Sequence, residues 1–395
     1  MNWRWRELRA IFFRLLAAML TVSVAASCAP QTGKQDKEPA QEEAARRESG
    51  STSPDPAAAT QRVETRANLL PAVSSFRASL GSRGIEMQLR RDGEKVSGTY
   101  AYDGINENLT LTGQIDAQGK LTLAEFDAKR KQTGKFDCHV EVAPDGESGI
   151  SINGNWARPD GSGQTSVALS EQHVDFTNGL RVVSKVIRNG KYDVAASYPQ
   201  LVGGNAAVAA GVQKFNQQIA ALVSENVRQF VADDPPPGKS SYETFFNVLL
   251  ATDDLISVEI SEESYSGGAY PNHYYYPLTY DLRAGREVQL EELFKPGSKY
   301  TEAILRYCLD SMNKSARESK EEEARREGKP RPTSDEPLFS AEAVTEWKTW
   351  AMTRRGLIVY FDFPHVIAAY NRQFVPYRVV ADDLKPDSPA ARLRR

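Results

Sequence analysis

The stretch that most constrains the fold lies at residues 255–282, LISVEISEESYSGGAYPNHYYYPLTYDL. In its first half Ile256, Val258 and Ile260 alternate with polar residues. Its second half places apolar and aromatic residues on one face: Tyr274, Tyr276, Leu278, Tyr280 and Leu282. Alternation of period two with β-branched and aromatic residues predicts strands, and the Gly267-Gly268 pair between them is turn chemistry. The stretch therefore predicts a β-hairpin, and we expect the chain after it to complete the same sheet.

The composition is that of a soluble globular protein with two or three domains. The chain has 395 residues, of which 40% are hydrophobic and 26% are charged. The net charge is −3, but residues 1–27 carry four arginines and one glutamate, so the remainder stands at −6. A mildly acidic body without a basic stripe argues against nucleic acid as a partner.

The N-terminus has the layout of a secretory signal peptide. Four arginines come first, residues 15–26 are apolar, and the small residues Ala25, Ala26 and Ser27 precede Cys28. The segment resembles the bacterial lipoprotein box, in which the cysteine is acylated and becomes the mature N-terminus; Ala25 stands where that box most often has Leu. The resemblance implies a lipidated Cys28, and Ala29, rather than Asp, after it implies an outer-membrane anchor facing the periplasm. A plain signal peptide or a short membrane anchor is the alternative.

Residues 28–66 form the next segment, which is rich in Pro, Gln, Glu, Ser and Ala and poor in apolar residues. Such a segment cannot offset the entropy of ordering, so we expect a disordered tether. Together with the lipid on Cys28, it would hold the folded part away from the membrane surface.

Residues 74–172 show short alternating segments at regular spacing, separated by turns such as Asp92-Gly93 and Asp160-Gly161. Asp-Gly pairs between alternating segments are hairpin signals. The predicted strands are 76–80, 85–91, 95–102, 108–115, 121–126, 134–142, 150–157 and 165–170. Strands joined only by hairpins predict an antiparallel β-meander or small barrel, whose interior holds either a ligand or its own side chains.

Residues 173–395 mix strands and helices, which predicts an α/β domain with a mixed or antiparallel sheet and two or three helices. Apolar spacing predicts helices at 205–230, 300–312 and 340–350. Strands are predicted at 182–187, 192–198, 245–252, 287–290, 357–361 and 375–380, besides the hairpin. The charged run 313–336 is either a solvated helical extension or a loop, and the tail 386–395 is expected to fray. The whole chain is therefore predicted to be α+β, and the last domain divides into 173–263 and 264–385.

The sequence offers no catalytic constellation. Its four histidines form no HExxH motif or metal-spaced cluster, and there is no GxSxG motif or phosphate loop. We therefore expect no enzyme, cofactor or metal. Three cysteines without CxxC spacing make no disulfide framework, and Cys138 and Cys308 fall on apolar faces, which predicts buried thiols.

The tyrosine-rich hairpin is the best candidate for binding. Tyrosine is amphipathic and stiff, which suits it to stacking on sugars or docking a protein. His273 is either a polar residue at the rim or a catalytic residue, for which it is the best single candidate. The predicted ligand-binding residues are Tyr265, Gly267, Gly268, Tyr270, His273 and Tyr275.

Two segments also resemble known proteins. SYSGGAYPNHYYYPLTYDLRAGREVQLEELF, followed by a helix and RRGLIVYFD, is similar to the C-terminal domain of uncharacterised bacterial envelope proteins. That domain also occurs in a peptidoglycan deacetylase, outside its catalytic domain, and in the lysozyme-sensing anti-sigma factor. Residues 180–263 resemble the domain that precedes it there. The stretch PHVIAAYNRQF, residues 364–374, departs from the pattern of these proteins. It lacks the Gly and the Tyr-Ala-Pro-Tyr order that are expected there.

The resemblance implies a cell-envelope lipoprotein that acts as a non-catalytic recognition module for a protein such as lysozyme or for a cell-wall glycan. A cell-wall glycan hydrolase or deacetylase is the alternative, and it needs convergent carboxylates or a metal in a cleft. A signalling anti-sigma factor needs a cytoplasmic domain before a membrane span, and about ten residues precede the apolar run here. We expect the membrane, through the lipid, and a protein or peptidoglycan as partners.

Overall fold

A computed structural model describes residues 69–393 except 82, 106, 143–148, 331–336 and 343. All of these belong to one compact unit, Arg62–Arg395. The predicted signal peptide, Cys28 and the tether lie outside the described residues, and so their assignment stays a prediction. None of the helices that the structure describes is long and apolar enough to span a bilayer.

The first part is an eight-stranded antiparallel barrel. It consists of β1 Val73–Leu80, β2 Arg83–Asp92, β3 Lys95–Tyr102, β4 Leu109–Ile115, β5 Lys120–Phe126, β6 Gln132–Val142, β7 Ile150–Ala157 and β8 Thr165–Glu171. Each strand pairs with the next, and β1 closes on β8 where Phe76 faces Glu171 and Arg77 faces Ser170. The predicted strands and hairpin turns are confirmed. Of the two predicted arrangements, an open meander and a small barrel, the structure has the closed barrel.

The side chains of the barrel strands fill its interior. Every strand turns alternate residues inward, among them Phe76, Met87, Leu111 and Phe136, all at most 2% exposed. Cys138 lies among them as a buried free thiol, as the alternation predicts. Burial raises the pKa of Cys138 to about 12, so it stays a thiol at neutral pH.

One carboxylate, Glu125, is buried in the barrel wall at 3% exposure. It accepts hydrogen bonds from the hydroxyl of Tyr100 at 2.7 Å, the indole of Trp156 at 2.6 Å and the hydroxyl of Thr133 at 2.6 Å. All three donors are neutral. Burial, followed by the Glu125 carboxylate, raises the pKa of Tyr100 well above its ordinary value, so Tyr100 remains a donor.

The second part is built on a seven-stranded mixed sheet in the order β10-β11-β12-β13-β14-β15, with β9 beside β12. The strands are β9 Val174–Asp175, β10 Arg181–Asn189, β11 Val194–Val202, β12 Ser241–Thr252, β13 Leu255–Tyr265, β14 Asn272–Asp281 and β15 Arg286–Glu287. Helix α1, Ala209–Ala232, connects the parallel pair β11 and β12. Its apolar face, including Phe215, Ile219 and Val223, covers one face of the sheet.

The other face of the sheet carries a separate antiparallel sheet, β16 Thr349–Met352, β17 Gly356–Tyr360 and β18 Arg372–Pro376. Helix α2, Tyr300–Arg326, packs Ile304, Cys308 and Met312 into the core beneath it. Three 3-10 helices, Leu290–Leu293, His365–Tyr370 and Tyr377–Val380, and a short α3, Pro389–Leu393, complete the described part. The predicted fold class, a barrel followed by a mixed sheet with few helices, is confirmed.

Four local predictions are corrected. The predicted helix 340–350 is wrong: its described residues before Thr349 form turns and loop, and from Thr349 onward the pairing of Thr349–Met352 with β17 overrides helix propensity. Among the described residues after the central hairpin, β15 alone extends the sheet, and β16–β18 form their own sheet. The last strand ends at Pro376, four residues before the predicted end. The tail does not fray at Ala390, which is fully buried in α3.

Helix α2 also settles the open alternative for the charged run. It continues to Arg326, well beyond the last apolar anchor of the sequence pattern. Ion pairs on its surface, Lys314 with Glu318 and Arg325 with Glu322, support the extension at helical spacing. Most of the run is therefore a solvated helix.

Arg77 of β1 joins the barrel to the large sheet. Its Nε donates to the carbonyl oxygen of Phe246 at 2.8 Å, and its guanidinium lies 3.6 Å from the centre of the Phe246 ring. The Nη2 atom pairs with Asp103 at 2.6 Å, and both side chains are at most 5% exposed. Gln172 adds a second link, because its Oε1 accepts from the backbone nitrogen of Val248 at 2.5 Å. The two parts are thus held together by buried polar contacts.

Candidate functional site

The central hairpin ends in an exposed tip formed by residues 266–271, with Glu263 opposite His273 and Ser261 opposite Tyr275. Gly267 has φ +92°, a conformation that side chains disfavour, and this explains the glycine. The Tyr265 hydroxyl donates to the carbonyl oxygen of Gly268 at 2.9 Å and braces the turn. The tip is therefore a shaped turn.

The exposed ring at this tip is Tyr270, which stacks on His365 with ring centres 4.6 Å apart and planes 25° apart. Tyr270 is 65% exposed, and Val366, next to His365, is 88% exposed. We call Tyr270, His365 and Val366 the hairpin-tip surface. It presents aromatic and apolar groups to solvent in one fixed arrangement.

Of the predicted ligand-binding residues, Tyr265, Gly267, Gly268 and Tyr270 meet at the tip. His273 lies beside them on β14, with its Nδ1 atom 3.6 Å from the Oε2 of Glu263 and its side chain 46% exposed. His273 therefore lies at the exposed rim of the tip, opposite Glu263, and its role stays a prediction.

Tyr275 is placed differently from the other predicted binding residues. It is half-buried, and its ring centre lies 5.3 Å from that of Tyr360 in the small sheet. Burial, followed by the nearby charge of Glu259, raises the pKa of Tyr275. Tyr275 therefore packs the two sheets together and leaves the exposed contact to Tyr270.

Sequence reasoning missed His365 and Val366. Both come from the 3-10 helix His365–Tyr370, almost a hundred residues after the hairpin in sequence. They fall in the stretch 364–374, which departs from the pattern of the resembling proteins, so the resemblance gave no signal. Only the packing of the small sheet onto the large one brings them to the tip.

A cleft of about 980 Å³ opens on the same face of the sheet. Its walls are the barrel strands β7 and β8, the sheet strands β12 and β13, helix α2 and the segment 369–374. This volume is at the upper end of the range of about 300–1,000 Å³ typical of ligand sites. The 3-10 helix His365–Tyr370 thus reaches both places, with His365 at the tip and Tyr370 at the cleft.

The floor of the cleft holds Glu259, which is 4% exposed. Its carboxylate accepts from Arg372 Nε at 2.8 Å, from Asn247 Nδ2 at 3.3 Å and from the Tyr360 hydroxyl. Burial acts to raise the pKa of Glu259, but the Arg372 charge and the three hydrogen bonds outweigh it, so the pKa lies below its ordinary value. Glu259 is therefore a carboxylate at neutral pH.

Further charged groups stand on the cleft walls. On the barrel side, Glu171 accepts from the backbone nitrogen of Ile150 at 3.1 Å, and its Oε2 lies 4.0 Å from the Nε2 of His173. On the helix side are Asp310, Lys314 and Glu318. Within the part of the chain that the structure describes, no group of three or more His, Cys, Asp or Glu residues could hold a metal ion.

Comparison with known proteins finds no matching family model and no matching curated protein. Among solved structures, the chain is similar to a DUF3298 family member from Bacteroides fragilis, with 12% identity and a TM-score of 0.38 over 55% of this chain and 98% of that one. It is also similar to a DUF3298 family protein from Pseudomonas aeruginosa, with 16% identity and a TM-score of 0.35 over 53% and 95%. Both neighbours belong to a domain family of unknown function. This agrees with the resemblance to a domain of unknown function described above. The likeness to the deacetylase and the anti-sigma factor stays a prediction, and the proposals below rest on the contacts of this chain.

Proposed function

We propose that the chain is a non-catalytic recognition module of the cell envelope, which binds a protein such as lysozyme or a cell-wall glycan through the hairpin-tip surface. The observation that carries the proposal is Tyr270, 65% exposed and stacked on His365. An aromatic ring that is already held in place loses little conformational entropy on binding, and such residues dominate binding energies at interfaces.

The compartment is part of the same proposal. The signal-peptide pattern and Cys28 support lipid anchoring, with the outer membrane facing the periplasm as the expected place. The body of the chain, at −6 without residues 1–27, favours a basic protein partner over nucleic acid. Replacing Cys28 with Ser tests the anchor. The variant should no longer be labelled by fatty acid and should leave the membrane fraction, whereas unchanged labelling would refute lipidation at this residue.

The Tyr270→Ala variant of the full-length protein tests the binding role. We expect its Kd for lysozyme, or for peptidoglycan in a co-sedimentation assay, to rise about 30-fold, since a central aromatic residue contributes about 2 kcal/mol or more. Its thermal unfolding should stay unchanged, because the ring is 65% exposed and stacks on His365, which is itself exposed.

Tyr274→Ala is the matched control. Tyr274 lies in the same hairpin and is 40% exposed, but it stands on the strand face opposite Tyr275 and His273. Its replacement should change the Kd less than twofold or so. Equal affinities of the wild type and Tyr270→Ala would refute a binding role for the hairpin-tip surface.

A cell-wall hydrolase or deacetylase is the second candidate, and the observation in its favour is that Glu171, Glu259 and Asp310 line one cleft. Paired carboxylates are the groups that glycoside hydrolysis uses. Release of reducing ends or acetate from peptidoglycan fragments, abolished in Glu259→Gln, would favour this candidate over recognition. A lack of turnover by the folded protein would leave recognition as the better account.

A further inference from the structure

We propose that the cleft binds a short oligosaccharide of amino sugars whose amines are free and therefore cationic. This site lies apart from the hairpin-tip surface and goes beyond the function proposed above. Either proposal can fail while the other stands, because no residue is shared between the two surfaces.

The hydroxyl groups of the cleft point to a saccharide. Ser311, Ser315 and Ser319 recur every four residues on α2, so they form one helix face, and all three line the cleft. Ser151 and Ser170 of the barrel line the same cleft. A hydroxyl both donates and accepts hydrogen bonds, as sugar hydroxyls do, so these walls match a ligand rich in hydroxyl groups.

Two tyrosines add the apolar component that sugar rings need. Tyr307 and Tyr370 are half-buried and line the cleft. The Tyr370 ring is held by an edge contact with Phe339, with centres 5.0 Å apart. A ring fixed in this way offers its face to the apolar side of a sugar at low entropic cost.

The charge of the cleft selects a cation. Four carboxylates line it, from Glu171, Glu259, Asp310 and Glu318, against the permanent positive charges of Arg372 and Lys314. Arg372 already donates to Glu259, and Lys314 lies 3.9 Å from Glu318. A phosphate or another anion would meet a net negative cleft, whereas an amine would be attracted to Asp310 and Glu171.

Calorimetric titration of the full-length protein with defined probes tests the proposal. The probes are a fully deacetylated chitosan tetramer, the N-acetylated tetramer of equal length, and spermine as a cation without hydroxyls. The deacetylated tetramer should bind about fivefold tighter or more than the acetylated one, through two partly exposed charge contacts, and raised salt should weaken it. Equal affinities for the two tetramers, or tighter binding of spermine, would overturn the proposal.

Two variants locate the binding in the cleft. Ser315→Trp places a bulky side chain in the cleft from an exposed helix position and should lower the affinity about tenfold or more. Lys320→Trp on the same helix, outside the cleft, should not change it. Asp310→Asn should lower the affinity for the deacetylated tetramer about two- to fivefold and leave the affinity for the acetylated tetramer unchanged. Glu302→Gln is its control.

The variant results decide the proposal on their own. If neither Ser315→Trp nor Asp310→Asn alters the affinity, while both unfold at the wild-type temperature, the tetramer binds elsewhere and the proposal is wrong. Cleavage of the tetramer during titration would also overturn it, since the cleft would then be an active site.

Discussion

The barrel and the large sheet differ in how their faces are covered, and this difference decides where surfaces suited to binding arise. In the barrel β1 pairs with β8, so its inner face is enclosed and filled by its own side chains. The open sheet needs cover on both faces. Helix α1 covers one face as a single element, whereas the small sheet and α2 cover the other in separate pieces. The tip and the cleft lie where these pieces end, so incomplete cover, rather than strand chemistry, creates the candidate sites.

Glu125 in the barrel and Glu259 under the cleft are both buried carboxylates, but their hydrogen-bond donors differ in charge. Glu125 in the barrel accepts from three neutral donors, and Glu259 under the cleft accepts from the cationic Arg372 besides Tyr360 and Asn247. Arg372 is itself 30% exposed, and Glu259 lines the cleft, whereas Glu125 lies in the closed barrel wall. The predictions below test this difference, beginning with the contact that joins the two regions.

Arg77→Met should give the largest effect. It removes the pair with Asp103 and the bond to Phe246, and it leaves Asp103 charged at 6% exposure. Loss of one partner from a buried ion pair costs about 3–5 kcal/mol. Urea denaturation followed by far-UV circular dichroism should therefore show a lower midpoint, or two transitions if the barrel and the sheet unfold separately.

The double variant Arg77→Met with Asp103→Leu is the control for that result. Replacing both charges with apolar groups removes the unpaired carboxylate and should recover much of the lost stability. If the double variant is as unstable as the single one, then the lost bond of Arg77 to Phe246, and not the unpaired Asp103, accounts for the lower stability.

Glu259→Gln should have the next largest effect on stability. The amide keeps the shape of the side chain and can still accept from Arg372, but the charge of Arg372 loses its partner, which costs about 1.5–3 kcal/mol at pH 7. Because the folded-state pKa of Glu259 lies below its ordinary value of 4.5, the wild type has this stability above pH 4.5 and loses it as pH falls through the folded-state pKa.

Unfolding free energies measured between pH 7 and pH 3 check this prediction. The wild type and Glu259→Gln should differ most at pH 7 and converge below pH 4.5. A constant difference across this range would show that hydrogen bonding, and not the charge of Glu259, stabilises the floor of the cleft.

Glu125→Gln should cost less than Glu259→Gln, about 0.5–1.5 kcal/mol. A glutamine oxygen can keep the bonds from Tyr100 and Trp156, and its amide nitrogen can donate to Thr133, whose hydroxyl can turn to accept. No cation loses a partner among the contacts of Glu125. If the two variants cost the same in urea denaturation, the distinction between neutral and charged donor sets has no energetic consequence.

Local patterns of the sequence predicted most of the fold. The eight barrel strands follow from alternation and Asp-Gly turns, and the central hairpin follows from residues 255–282, because each of these elements pairs with its neighbour in sequence. The helix predicted at 340–350 was wrong because its apolar spacing does not form a helix here: the described residues before Thr349 are turns and loop, and Thr349–Met352 pairs with β17.

The candidate sites were only half predictable. Tyr270 stood out as an exposed aromatic residue beside a Gly-Gly turn. His365, which holds its ring, and Arg372, which pairs with Glu259, come from distant segments without a motif. The cleft joins residues from the barrel, the sheet and α2, so it exists only once these parts have packed. Sequence patterns record local pairing, and sites made by tertiary packing leave no such record.

Glu86→Gln, beside the contact of Arg77, is the smallest predicted effect and has the opposite sign. Burial, and then the nearby Asp103 charge, raise the pKa of Glu86 above its ordinary value of 4.5, although Arg77 partly opposes them. The stability tied to its protonation is present below pH 4.5 and is lost as pH rises through the folded-state pKa. A neutral glutamine should therefore raise the free energy of unfolding at pH 7 by less than about 1 kcal/mol. This gain should vanish below pH 4.5, whereas a destabilised variant at pH 7 would mean that Glu86 supports Arg77 as a carboxylate.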